Sequence, residues 1–188
     1  MIRKAIVIVG SLFLAILFLS TIGSFYTGYA VLNQEDLTLQ HYPYPFVKNN
    51  VPNDVYIVIP YDYSYSEFKV AQDIAESIKG KNLVSPSIVT DINVPQGEHN
   101  LILIGNPCNN DLIQELLATF ECNSGLEEGQ ALISLINNYR TSTLIISSYT
   151  SEDLEKSSVI LSNYNFYPLM KKKIIVSGGI GNLVLNYY

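Results

Sequence analysis

From Asp54 onward, short β-branched apolar runs alternate with stretches whose apolar positions recur every three or four residues, the respective periods of strand and helix. DVYIVIP (54–60) reads as a buried strand. It is followed by a helix from about Tyr65 to Lys79, with Phe68, Ala71, Ile74, Ala75 and Ile78 on one face and Ser64 with Glu67 as a capping box. SIVTDI (87–92) and NLILIG (100–105) read as further strands. A second helix, from about Asn110 to Phe120, turns Leu112, Ile113, Leu116, Leu117 and Phe120 inward, with Asn109 or Asn110 as its cap. QALISLI (130–136) and TSTLIISSY (141–149) are separated by four residues, too few for a parallel crossover, so they predict an antiparallel hairpin. A third helix is expected from Ser151 to about Asn165, capped by Thr150 and Asp153. KKKIIVSGG (171–179) is the last clear strand, and IGNLVLNYY adds an edge strand. The pattern predicts an α/β fold: a mostly parallel sheet of about six strands with helices on its faces and one antiparallel hairpin.

Upstream, the pattern changes. Arg3 and Lys4 precede an uncharged stretch that runs from Ala5 to Gln34 and is densest in AIVIVGSLFLAILFL, ending at Leu19. This reads as an N-terminal transmembrane or signal helix over residues 1–30, either spanning a membrane through residues 5–27 or cleaved after Gly28-Tyr29-Ala30. The basic flank then stays in the cytoplasm and the remainder faces outside. Residues 31–53 read as an extracellular connector, in which Tyr42 to Phe46, alternating aromatic and Pro, forms a packed strap. The folded domain is expected over 54–188, on the extracellular face of a membrane or in the cell envelope.

Composition narrows the function. Of 188 residues, 48% are hydrophobic and 15% charged, which allows a packed core and excludes a disordered chain. Eleven basic against seventeen acidic residues leave a net charge of −6, so there is no basic stripe for nucleic acid. Two His and two Cys cannot build a conventional His-rich metal centre, and neither a metal nor a cofactor is expected. No Gly-x-Ser-x-Gly elbow accompanies His41 or His99, so the chain is expected not to be an enzyme.

The stretches LILIGNPCNNDLIQELL, FECNSGLEEGQALISLI and TLIISSYTSEDLEKSSVILSNYNFY together resemble the domain of archaeal S-layer proteins and related envelope proteins. The residues that carry the resemblance are Gly105, Pro107, Cys108, Asn110, Cys122, Glu128, Gly129, Ala131, Tyr149, Asp153, Asn163 and Tyr164. It spans about residues 54–177. It implies a largely structural envelope role without a reaction, acting through protein–protein contacts with other envelope or S-layer proteins, including copies of itself.

Two places remain as candidate sites. Cys108 and Cys122 are the only cysteines; their even number favours a disulfide in an oxidising compartment, with two buried thiols or a metal or redox site as the other readings. Tyr61, Asp62, Tyr63 and Tyr65 lie at the C-terminal end of the first strand, where open α/β sheets bind ligands. They are the expected contact for a partner or, alternatively, for a glycan or small ligand, since tyrosine offers an apolar face and a polar tip. Gly105-Asn106-Pro107 reads as a tight turn in preference to a phosphate site.

Overall fold

The computed structural model describes residues 36–79 and 83–188. Leu37, Leu39, Tyr42 and Phe46 are buried, so the strap contributes to the core. A two-stranded ribbon follows, β1 (Val47–Lys48) with β2 (Val51–Pro52). The main sheet is built from β3 (Val55–Ile59), β4 (Ser87–Thr90), β5 (Asn100–Ile104), β6 (Ala131–Asn137), β7 (Ser142–Ser148), β8 (Lys173–Gly179) and β9 (Asn182–Tyr187). Among the described residues, three α-helices accompany them: α1 (Tyr65–Ser77), α2 (Asp111–Leu117) and α3 (Leu154–Ser162).

The strand order is β4-β3-β5-β7-β6-β8-β9. β4, β3, β5 and β7 are joined by parallel ladders, whereas β7–β6, β6–β8 and β8–β9 are antiparallel. The expected mostly parallel sheet is therefore corrected to a mixed sheet of seven strands. The reason lies in β6. The crossover from β7 through α3 to β8 does join two strands that run the same way, but β6 lies between them. One would-be parallel neighbour pair thus becomes two antiparallel ones. The short turn from β8 into β9 adds a third. Gly178, at φ +85°, is needed there because a Cβ would collide with the Asn182 carbonyl oxygen.

Side-chain alternation divides the core into two layers. Ile57, Ile59, Ile102, Ile104, Leu144 and Ile146 face α1 and α3, together with the strap residues. Val58, Leu103 and Ile145 point the other way and pack under Ile113 of α2. Each buried aliphatic side chain of this kind contributes roughly 1.5–3 kcal/mol.

The helices start where local chemistry dictates. Ser64 Oγ accepts from Glu67 N at 3.3 Å and Glu67 Oε2 accepts from Ser64 N at 2.6 Å, which completes the capping box of α1. Thr150 and Asp153 likewise cap a single 3₁₀ turn (Ser151–Asp153) that leads into α3. Burial works against the charge on Asp153. Hydrogen bonds from Lys156 Nζ (2.7 Å) and Thr150 Oγ1 (2.8 Å) outweigh it and hold the carboxyl below its ordinary range.

The expected helix over residues 1–30, including the span through 5–27, lies outside the described residues. Among the described residues, no helix is long and apolar enough to cross a membrane. The described fold thus carries no N-terminal transmembrane or signal helix. The membrane contact, secretion and extracellular placement expected from that segment find no support in a membrane-crossing helix among the described residues.

Candidate functional site

The C-terminal end of β3 opens into Tyr61, Asp62, Tyr63 and Ser64 before α1 begins. Tyr61, Tyr63 and Tyr65 are 67%, 45% and 80% exposed, and Asp62 is also exposed. Tyr63 stacks on Phe68, with ring centroids 5.5 Å apart and planes inclined by 27°. This contact ties the corner to the first turns of α1. Glu67 has a different role from its neighbours. It is only 1% exposed, and its second oxygen, Oε1, accepts from Asn109 Nδ2 at 2.7 Å. The carboxylate therefore joins the start of α1 to the turn after β5, and both its oxygens are engaged in structure.

That turn is held by three asparagines. Asn109 Oδ1 accepts from Asn106 N (2.8 Å), Asn106 Oδ1 accepts from Cys108 N (2.8 Å), and Asn110 Oδ1 accepts from Leu112 N and Ile113 N at the start of α2. The donors that an anion would use are thus bound by side chains, as a tight turn requires. Gly105 has φ +132°, and a Cβ there would lie 2.8 Å from Asn109 Oδ1.

Cys108 and Cys122 form a disulfide, with their Cα atoms 4.9 Å apart. The bridge explains a departure from the expected second helix. A helix running on to Phe120 would rise roughly 15 Å and carry the two cysteines apart. Instead α2 ends at Leu117, Ala118 turns left-handed at φ 50°, and the chain doubles back. Leu116 and Phe120, expected inward, are exposed. Since both sulfurs are bridged, neither is free as a metal ligand or nucleophile. Among the described residues, no group of three or more His, Cys, Asp or Glu side chains could hold a metal ion.

A concavity lies at the opposite end of the parallel strands, where the sequence pointed to nothing. It encloses about 460 Å³ and is lined by Leu101, Leu112 and Thr143, with Glu98, His99 and Arg140 among its charged and polar residues. Its origin is the shortness of α2: seven residues span roughly 10 Å and leave the lower part of that sheet face open. Arg140 Nη1 pairs with Glu98 at 3.1 Å. His99, just before β5, has both ring nitrogens engaged. Its Nδ1 lies 3.0 Å from both carboxylate oxygens of Asp54, and its ring meets Tyr56 edge-on. The Asp54 hydrogen bond raises the imidazole above its ordinary value, helped by the Gln96 carbonyl and opposed by partial desolvation. These pairs join positions more than forty residues apart, so no local motif announced them.

The chain matches no protein-family model and no curated protein.

Proposed function

We propose that this chain is a non-enzymatic, S-layer-like interaction domain that acts through protein–protein contacts, with the Tyr61–Tyr65 corner as a contact surface. The observation that carries this reading is three exposed tyrosines on one corner, of which Tyr63 is held by its stack on Phe68. Tyrosine supplies large contact area at little cost in conformational entropy and is enriched at interface centres. The one buried carboxylate beside the corner, Glu67, is engaged by Ser64 N and Asn109 and so is not free for acid–base chemistry. The resemblance carried by Gly105, Cys108, Cys122 and Tyr149 supports the same structural role.

A second reading uses the same residues: stacking of Tyr61 or Tyr65 on a sugar ring, with the exposed Asp62 carboxylate accepting from its hydroxyls. One variant separates the two. Tyr61→Ser, Tyr63→Ser and Tyr65→Ser are combined in the full chain, folding is checked by circular dichroism, and higher-order assembly is followed by light scattering and electron microscopy. A glycan array is run in parallel. The contact role predicts that assembly is lost in the variant and that the parent chain binds no arrayed glycan. Array binding that disappears in the variant, with assembly unchanged, establishes the glycan reading instead. Unchanged assembly with no array binding removes the corner from both.

A further inference from the structure

The two edges of the sheet differ in kind. β4 is four residues long, enclosed by Pro86 and a 3₁₀ turn at Asp91–Asn93, and is too short to template much pairing. β9 has six residues, N-L-V-L-N-Y, with no charge and no proline. Those are two of the usual devices that blunt a strand edge against another chain. Among the described residues, nothing pairs with its outer side.

The β8–β9 register fixes which backbone groups face outward. Tyr188 N donates to Lys173 O at 3.1 Å, and residues 187, 185 and 183 stand opposite Ile174, Val176 and Gly178. In an antiparallel ladder, hydrogen-bonded and non-bonded pairs alternate. Asn182, Val184 and Asn186 therefore turn their amides toward β8, whereas Leu183, Leu185 and Tyr187 turn theirs outward. The outward set is symmetric about Leu185. A two-fold axis through that residue brings Leu185 opposite Leu185 of a second copy and Leu183 opposite Tyr187. All six outward groups of each strand are then paired.

We propose that β9 is a self-association edge, pairing antiparallel with β9 of a second copy about a two-fold axis at Leu185 to continue the sheet across two chains. The side chains agree with the backbone. Leu185 meets its own copy and Leu183 meets Tyr187 on the core-side face, both apolar cross-strand pairs. On the other face, Val184 stands opposite Asn186, and no like charges meet along the strand. The proposal rests on the reading of the chain as a contact-forming domain and names one partner. It uses a surface separate from the tyrosine corner, so the triple tyrosine variant should still dimerise.

The test reads register as well as mass. Sedimentation velocity of the full chain over rising concentration should show a monomer passing to a dimer, and Val184→Lys, which charges the edge without altering a core-side residue, should shift that transition at least tenfold upward. Separately, the V184C and N186C variants are prepared singly, with the native bridge intact, and held in a glutathione buffer. Residues 184 and 186 are direct cross-strand neighbours only between chains, whereas two copies of residue 184, or two of residue 186, are diagonal and too far apart. A covalent dimer that forms when the two variants are mixed, and much less in either alone, supports the pairing. A chain that stays monomeric at every concentration overturns it, as does crosslinking equally efficient in mixed and unmixed samples. Should Val184→Lys fail to fold, the mixing experiment decides alone.

Discussion

The two halves of the sheet are built on different rules. In the parallel half, β3, β5 and β7 are covered on both faces, by α1 and α3 on one side and by α2 on the other, and their central residues are fully buried. In the antiparallel half, β8 and β9 bury one face, and burial along β9 alternates between half-buried and exposed positions. The first half pays for its helices with long connections and gains a core. The second uses short turns and leaves an edge that is open among the described residues. The more deeply buried core and the open strand edge thus lie at different ends of one sheet.

Substitutions can sharpen that contrast. Ile146→Ala, at a fully buried position on β7, should destabilise by about 2–5 kcal/mol. Leu185→Ala, half-buried on β9, should cost about 1 kcal/mol. Urea unfolding of both variants measures the difference, and equal losses would erase the distinction between the halves. Next in size is the bridge that closes the connection between them. Replacing Cys108 and Cys122 by Ser should lower stability by about 3 kcal/mol, on a chain-entropy argument for a loop of this length. Denaturant midpoints of the parent and the double variant give the value.

The smallest effect belongs to the start of the parallel strands. Because the Asp54 carboxylate raises His99, the pair stabilises the fold fully below the ordinary histidine value of 6.5, and this contribution fades as the pH climbs through the raised one. Asp54→Asn should return the His99 titration, followed by nuclear magnetic resonance, to the ordinary range and flatten that part of the pH–stability curve. A titration identical in both proteins would remove the interaction.

Much of the parallel half was legible because its signals are local. VYIVI and LILI are continuous apolar runs, and Ser64 with Glu67 is a three-residue spacing whose hydrogen bonds need no tertiary partner. The hairpin of β6 and β7 was legible from its four-residue gap. Strand order was not, since nothing in QALISLI says that β6 will lie between β7 and β8. Phe120 misled because helical periodicity continues past Leu117, where the disulfide turns the chain back. The tyrosine corner could be located because its residues are contiguous. The groove with Glu98, His99 and Arg140 could not, because it is assembled from separate segments. The parity of the β9 edge likewise depends on a register that only the folded ladder defines.

The interposed strand has a consequence for biosynthesis. As the chain leaves the ribosome, β6 and β7 can zip together as soon as Ser148 has emerged, for their ladder is local. The other side of β6 must then wait for α3 and for β8, which is not complete until Gly179. During that interval β6, whose ALISLIN sequence carries no charge, is itself a provisional edge. Nascent chains on neighbouring ribosomes would find in it a template for mispairing, so the step most exposed to aggregation is the wait for β8.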